Sequence, residues 1–120
     1  MNPLSLLLVF VGGGLGSVAR YMVGFGIARW SGGLPAGTLL ANLMATLVLA
    51  LLWRWAPGDE HTRLIWMTGF CGGFSTFSTF SLDTVQLYTA HGWPFALANV
   101  LVNVACCVGI AAWIVLQRTM

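Results

Sequence analysis

One stretch in the middle of the chain carries side chains that could act on a small polar species; residues 69–81 read GFCGGFSTFSTFS. From Phe74 onward the order Phe-Ser-Thr repeats every three residues. The paired glycines Gly72 and Gly73 loosen a helix, so we expect unwinding there, near the middle of an apolar segment. Because lipid contact does not favour a row of hydroxyl groups, the run indicates a pathway for something small and polar.

The groups along this pathway suit an anion better than a cation. Hydroxyl groups and the amide of Asn42 supply hydrogen-bond donors, and the edge of an aromatic ring is electropositive. Phe77 and Phe80, three residues apart, could present their edges to one anion. A cation pore uses carboxylate or carbonyl rings, and no carboxylate lies in the middle of an apolar segment. The residues therefore predict a pathway for a small, hard anion without naming it.

Other polar residues inside the apolar segments allow two interpretations each. Asn99 and Asn103 are four residues apart and share one helix face; they either hydrogen-bond between helices or face the pathway. Arg20 and Asp83 approach the same membrane interface. They either form an ion pair, or Arg20 gives a vestibule a positive potential that attracts anions.

The composition requires a lipid environment for the elements that position these residues. Hydrophobic residues make up 58% of the 120-residue chain and charged residues 7%, against about a quarter charged in soluble proteins; the mean hydropathy is +0.87. A helix crosses the membrane with about 20 residues, and four segments reach that length: 4–28, 35–55, 63–88 and 94–116. We predict an all-α integral membrane protein with four transmembrane helices, forming a single domain over residues 1–120.

The arginines carry the information on topology, because the chain contains no lysine. Four crossings place Arg54, Arg63 and Arg118 on one side of the membrane, and Arg29, with Arg20 if it reaches the interface, on the other. This bias is too small to fix one orientation firmly. The chain therefore either inserts both ways and forms an antiparallel homodimer, or inserts one way with a modest preference.

Three motifs resemble those of one known family: GGxxGxxxRY over 12–21, PxGTLxxN over 35–42, and the long run over 69–81. The chain resembles the fluoride channel family known as Fluc or CrcB, and the match covers all four segments. The resemblance implies an antiparallel, dual-topology homodimer with two separate pores and a third helix broken near its middle. It also implies passive export of fluoride from the cytoplasm across the cell inner membrane, which reduces fluoride toxicity without any enzymatic activity.

The resemblance also assigns roles to individual positions. Two phenylalanines match those whose ring edges face fluoride, an asparagine lies beside the pore, two hydroxyl residues belong to the broken third helix, and an arginine lies near the vestibule. In that order, these ion-pathway residues are Phe77 and Phe80, Asn42, Ser78 and Thr79, and Arg20.

A structural sodium ion is the one cofactor that the resemblance implies. Gly72 and Ser75 match residues whose backbone carbonyls, from both subunits, hold a buried sodium that is not transported. Carbonyls freed by unwinding at Gly72-Gly73 must find partners in lipid, and two copies would direct four of them at one point. The expected partners are fluoride, a second copy of the chain and the lipid bilayer, with no nucleic acid.

Two other functions are possible for a chain of this size. A small multidrug exporter shares the length, the four helices and the dual topology, but it uses a membrane-embedded glutamate in the first helix, and residues 4–28 contain none. A non-transporting scaffold subunit gives no reason for the Phe-Ser-Thr repeat. The glycine spacing over residues 12–16 matches phosphate-binding loops only weakly, and no strand precedes it, so nucleotide binding is excluded.

Overall fold

The computed structural model describes residues 1–56 and 58–117, and all regular secondary structure in those residues is helical. The helices are α1 (Pro3–Ile27), α2 (Ala36–Trp55), α3 (Glu60–Thr62), a π-helix (Arg63–Cys71), α4 (Gly72–Phe74), α5 (Phe77–His91) and α6 (Trp93–Leu116). The prediction of an all-α protein is confirmed. Arg118, which entered the count of arginines, lies outside the described residues.

Three of these helices, α1, α2 and α6, are long and apolar enough to cross a membrane, with 25, 20 and 24 residues respectively. They correspond to the predicted segments 4–28, 35–55 and 94–116. Residues 63–88 instead fold as the π-helix, α4 and α5, with two extended residues before α5. Most large apolar side chains along the long helices are exposed, which is the arrangement that lipid solvation requires.

Helix α1 packs against the π-helix and α4 with main chain on main chain. A Cβ atom on Gly12 would collide with the carbonyl oxygen of Ile65, and one on Gly16 with that of Phe70. A Cβ on Gly73 would likewise collide with the carbonyl oxygen of Gly13. Small residues allow helices in lipid to approach this closely. We call these facing glycines, with Gly69, the glycine contact.

On the other side of the molecule α2 packs along α6, and α6 also contacts α5. The small buried core lies where α2 meets α4; it contains Ala41, Ala45 and Phe74, with Phe70 packed against it. Arg54 connects the far ends of α2 and α6, because its Nη1 donates to Gln117 Oε1 at 2.8 Å. These contacts position the end of α4 and the start of α5 beside the polar residues of α2 and α6.

Candidate functional site

The helical path is interrupted between α4 and α5. Ser75 (φ −83°, ψ 156°) and Thr76 (φ −153°, ψ 122°) are extended, and α5 begins at Phe77. The prediction that the chain unwinds at Gly72-Gly73 is wrong, because Gly72 has helical angles (φ −64°, ψ −36°) and α4 continues to Phe74. The interruption therefore lies two to three residues beyond the paired glycines.

Two physical causes place the interruption there. Gly73 packs on the backbone of Gly13 in the glycine contact, so this glycine serves close approach rather than unwinding. The hydroxyl groups that follow replace helical hydrogen bonds. Ser75 Oγ donates to the carbonyl oxygen of Cys71 at 2.9 Å, and Thr76 Oγ1 caps α5 by accepting from the N–H of Thr79 at 3.1 Å.

Asn42 on α2 accepts a backbone hydrogen bond at the interruption. The N–H of Thr76 donates to Asn42 Oδ1 at 3.0 Å. In an unbroken α-helix this N–H would donate to the carbonyl oxygen of Gly72, and the N–H of Thr79 would donate to that of Ser75. Because both amides donate to side chains instead, the carbonyl groups of Gly72 and Ser75 lack their helical partners.

A chain of side-chain hydrogen bonds continues from Asn42 across three helices. Asn42 Nδ2 donates to Asn103 Oδ1 at 3.3 Å, and Asn103 Nδ2 donates to Asn99 Oδ1 at 3.1 Å. Asn99 Nδ2 donates to Thr84 Oγ1 at 2.9 Å, and the Thr84 hydroxyl donates to the carbonyl oxygen of Phe80 at 2.8 Å. We call Asn42, Asn103, Asn99 and Thr84 the amide relay. Asn99 and Asn103 thus hydrogen-bond between helices, and Asn103 also lines the groove beside the interruption.

A groove of about 300 Å³ lies beside the interruption and brings together three of the predicted pathway residues. Phe77 and Phe80 have ring centroids 5.5 Å apart and an interplanar angle of 46°. Phe80 is 8% exposed, whereas Phe77 is 78% exposed. The lining residues are Asn42, Thr46, Ser75, Thr76, Phe77, Phe80, Asn103, Val104, Cys107 and Val108.

Three other predicted pathway residues lie elsewhere. Arg20 and Thr79 share a second groove of about 400 Å³, which α1 and the start of α2 also line through residues such as Tyr21 and Thr38. Ser78 lines neither groove; it is exposed, and its Oγ lies 3.2 Å from Thr76 Oγ1. The two phenylalanines and Asn42 therefore form one polar–aromatic site, while Arg20 and Thr79 form a separate cationic one.

Arg20 and Asp83 do not form the ion pair that was one of their two interpretations. Asp83 lines a third groove of about 310 Å³ together with Gln86 and His91, away from the groove of Arg20. Asp83 Oδ2 is buried and has no hydrogen-bond partner within the described residues. The positive charge of Arg20 is therefore not neutralised by this carboxylate, which leaves the vestibule interpretation open.

Sequence reasoning missed Thr76 and Thr84 as members of the site. Thr76 could have been found from the sequence, because threonine is a common N-cap residue immediately before a helix. Thr84 could not, since its importance depends on α6 bringing Asn99 against it. That contact joins residues that are 15 positions apart and has no local sequence signature.

Long apolar helices define the class: this is an all-helical membrane protein, with a groove beside a helix interruption. A family model described as CrcB-like protein, Camphor Resistance (CrcB), matches residues 7–115. The chain belongs to the CrcB family, and the resemblance seen in the motifs is confirmed.

Proteins similar to this chain carry a functional name. It is 44% identical over 105 residues to Fluoride-specific ion channel FluC 1 of Yersinia pseudotuberculosis, covering 84% of this chain and 83% of that protein. It is 44% identical over 100 residues to Fluoride-specific ion channel FluC of Gloeobacter violaceus, covering 79% and 80%. The FluC protein of Salmonella arizonae is 42% identical over 102 residues, covering 82% and 80%. An ion channel is not an enzyme.

Proposed function

We propose that this chain is a fluoride-selective channel that lets fluoride leave the cytoplasm passively and so reduces its toxicity. The observation that carries the proposal is the groove in which Phe77, Phe80 and Asn42 meet beside the helix interruption. The names of the relatives support fluoride as the ion. The cell inner membrane is the proposed location.

In the proposed mechanism the groove replaces the water around a small anion with fixed donors. The ring edges of Phe77 and Phe80 provide positive potential, and the amide group of Asn42 provides an N–H donor. Donors that are already fixed in place cost little to reorganise when the anion arrives. A larger halide would exceed a path sized for fluoride and lose contact with some donors, which gives selectivity.

Arg20 and the hydroxyl residues have supporting roles in this proposal. Arg20 attracts anions to the second groove, where its charge is combined with the hydroxyl groups of Ser17, Thr38 and Thr79. Ser78 adds a further hydroxyl donor near Thr76. Because Ser78 is exposed, we propose that it acts where a second copy of the chain covers this surface.

We further propose that the working unit is an antiparallel, dual-topology homodimer in which each chain crosses the membrane four times. Residues 63–88 would form the third crossing, interrupted at Ser75 and Thr76. The exposure of Phe77 beside the groove supports a partner here, because an aromatic ring that acts on an ion must be shielded from lipid.

The carbonyl groups of Gly72 and Ser75 fit the proposed structural sodium site. Both lack their helical amide partners, as described above, and hard cations prefer oxygen ligands. The described residues contain no cluster of His, Cys, Asp or Glu that could hold a metal, so main-chain oxygens are the suitable ligands. A second copy would add the same two carbonyls, and a bound sodium ion would stabilise their close approach by its charge.

Fluoride efflux from liposomes tests the proposed function. Vesicles loaded with fluoride and containing the purified protein should release it within seconds after valinomycin allows potassium to follow, as measured with a fluoride electrode. Chloride-loaded vesicles should release far less. A scaffold subunit would release neither ion, and a multidrug exporter would instead move a lipophilic cation against a proton gradient.

A further inference from the structure

Every hydrogen bond of the amide relay has the same donor-to-acceptor direction, from Thr76 towards Phe80, and the backbone groups at the two ends of the relay fix that direction. The N–H of Thr76 can only donate, and the carbonyl oxygen of Phe80 can only accept. An asparagine amide can adopt two orientations that exchange its oxygen and nitrogen. A reversed Asn42 would direct an N–H₂ group at the N–H of Thr76, so only one orientation gives every member of the relay a partner.

Asn103 is the best-anchored member of the relay. It is 5% exposed, and its Nδ2 donates to two oxygens of Asn99, the backbone carbonyl at 2.9 Å and Oδ1 at 3.1 Å. Both hydrogens of this amide group are therefore used on α6 itself. Its Oδ1 remains to accept from Asn42, whose own side chain is only partly buried.

We propose that Asn103 is a positioning residue that holds the Asn42 amide in the single orientation that accepts from Thr76. With its oxygen used by Thr76 and one hydrogen used by Asn103, Asn42 keeps its second amide hydrogen for the groove. Asn103 thus stabilises the interruption and directs a donor of Asn42 into the groove, while its own Nδ2 donates to Asn99. The inference deepens the proposed function, and it rests on that function only where fluoride flux is concerned.

Amide hydrogen exchange by NMR, with the full chain in lipid nanodiscs, tests the positioning role. In Asn103→Leu we expect protection of the Thr76 amide to fall about tenfold, which corresponds to loss of one hydrogen bond. The amide of Ser75, which donates to the carbonyl oxygen of Cys71 at 3.0 Å, should keep its protection. Cys107→Leu places the same side chain in the same groove outside the relay and should change neither amide.

Two results in Asn103→Leu would overturn the proposal. Unchanged protection of Thr76 would mean that Asn42 keeps its orientation without Asn103. An equal loss at Thr76 and Ser75 would mean that the substitution loosens the whole segment. Absence of fluoride efflux from the parent protein would instead overturn the proposed function. It would leave the positioning role of Asn103 unaffected, because the exchange measurement does not depend on any ion.

Asn103→Asp provides a second test at constant side-chain size, in case the leucine variant does not fold. A neutral carboxyl group offers an oxygen to Asn42 and an O–H to Asn99, whereas an ionised one directs a charge at Asn99 Oδ1. Because both forms of this carboxyl group accept from Asn42 Nδ2, protection of Thr76 relative to Ser75 should stay near the parent value through the titration. Cys107 is the only titratable side chain among the residues lining the groove. A tenfold lower ratio, as expected for Asn103→Leu, would contradict the proposal, because the acceptor for Asn42 is still present.

Discussion

Along α1 the main chain packs directly on the main chain of the π-helix and α4, whereas α2, α5 and α6 are joined by hydrogen bonds between asparagine and threonine side chains. The glycine contact fixes distance, because no side chain can adjust where a Cβ atom would meet a carbonyl oxygen. The amide relay fixes the orientation of its side chains, because each asparagine amide finds all its hydrogen-bond partners in only one orientation. The helix interruption lies between them: Gly73 belongs to the first contact, and Thr76, three residues later, is bound by the second.

The difference between the two contacts shows how a membrane protein can hold an interrupted helix in place. Close main-chain packing positions the first half of the interrupted segment, which is helical up to Phe74. Directional hydrogen bonds hold the second half, where the helix has lost partners. The two contacts should therefore respond differently to substitution, and three experiments can separate them, with a fourth at a site outside both.

The largest effect is expected when the glycine contact receives a side chain. Gly16→Ala introduces a methyl group against the carbonyl oxygen of Phe70, and backbone cannot move aside as a flexible side chain can. We expect a loss of about 3 kcal/mol or more in the free energy of unfolding. Unfolding in detergent, followed by tryptophan fluorescence, measures it.

Gly14 supplies the matched control for this experiment. It lies in the same helix, but a Cβ there meets nothing within 4 Å. Gly14→Ala should therefore keep or slightly raise the stability, since alanine favours a helix by about 1 kcal/mol over glycine. Equal destabilisation by both alanines would show that helix geometry, rather than close approach, makes these glycines necessary.

On the polar side, replacing an aromatic ring should affect transport more than stability. Phe77→Ile removes the ring edge but keeps an apolar side chain, and we expect fluoride efflux to fall about tenfold or more while the protein stays folded. Phe10 and Phe77 are both 78% exposed, so Phe10→Ile is the matched control and should conduct normally. Normal efflux in Phe77→Ile, and also in Phe80→Ile, would remove the rings from the mechanism.

A smaller effect is expected at the cap of α5. Thr76→Ala removes the oxygen that accepts from the N–H of Thr79, which should lower the free energy of unfolding by about 1 kcal/mol. Thr76→Ser should restore most of it. Thr89→Ala, which removes a hydroxyl that only donates to the carbonyl oxygen of Gln86, should cost little. If Thr76→Ala matches Thr89→Ala, the cap does not stabilise the interruption.

The smallest effect is expected outside both contacts, at the cap of α3. The backbone N–H and then the hydroxyl group of Thr62 hold the pKa of Asp59 below its usual value, and the N–H donates to Asp59 Oδ2 at 3.0 Å. Because the folded pKa is the lower one, this stabilisation is present above the unfolded pKa of about 4. It is lost as the pH falls through the folded pKa.

The amide chemical shift of Thr62 should follow that titration, while transport of ions and the glycine contact should not respond to it. Asp59→Asn keeps an oxygen for the cap and should abolish the pH dependence of the Thr62 signal. A Thr62 signal that still titrates in this variant would show that Asp59 is not the group responsible.

The sequence predicts the helical class and three of the long helices, because apolar length is a local property of the chain. It also singles out Phe77, Phe80 and Asn42, which share a groove. The sequence-based prediction places the unwinding at the wrong residues. Paired glycines such as Gly72 and Gly73 look the same in a sequence whether they unwind a helix or allow close packing. Only the position of Gly13 on another helix decides between the two.

The separation of Arg20 and Thr79 from the phenylalanines has a similar cause. Thr79 and Phe80 are adjacent, so they point to different sides of α5 and line different grooves. The resemblance to the channel family placed them in one list of pathway residues. The register of α5 relative to α1 and α2 depends on tertiary packing, which has no single-sequence signature.

The hydrogen bond from Thr76 to Asn42 also implies an order of events during synthesis. The two residues are 34 positions apart, and Asn42 precedes Thr76 in the chain, so its acceptor oxygen enters the membrane before the unpaired N–H does. Asn103, 61 positions after Asn42, follows only with the last helix. The hydrogen bond at the interruption can therefore form as soon as residue 76 has been synthesised. The orientation of the Asn42 amide is fixed only later, when α6 has been made and Asn103 can accept from it.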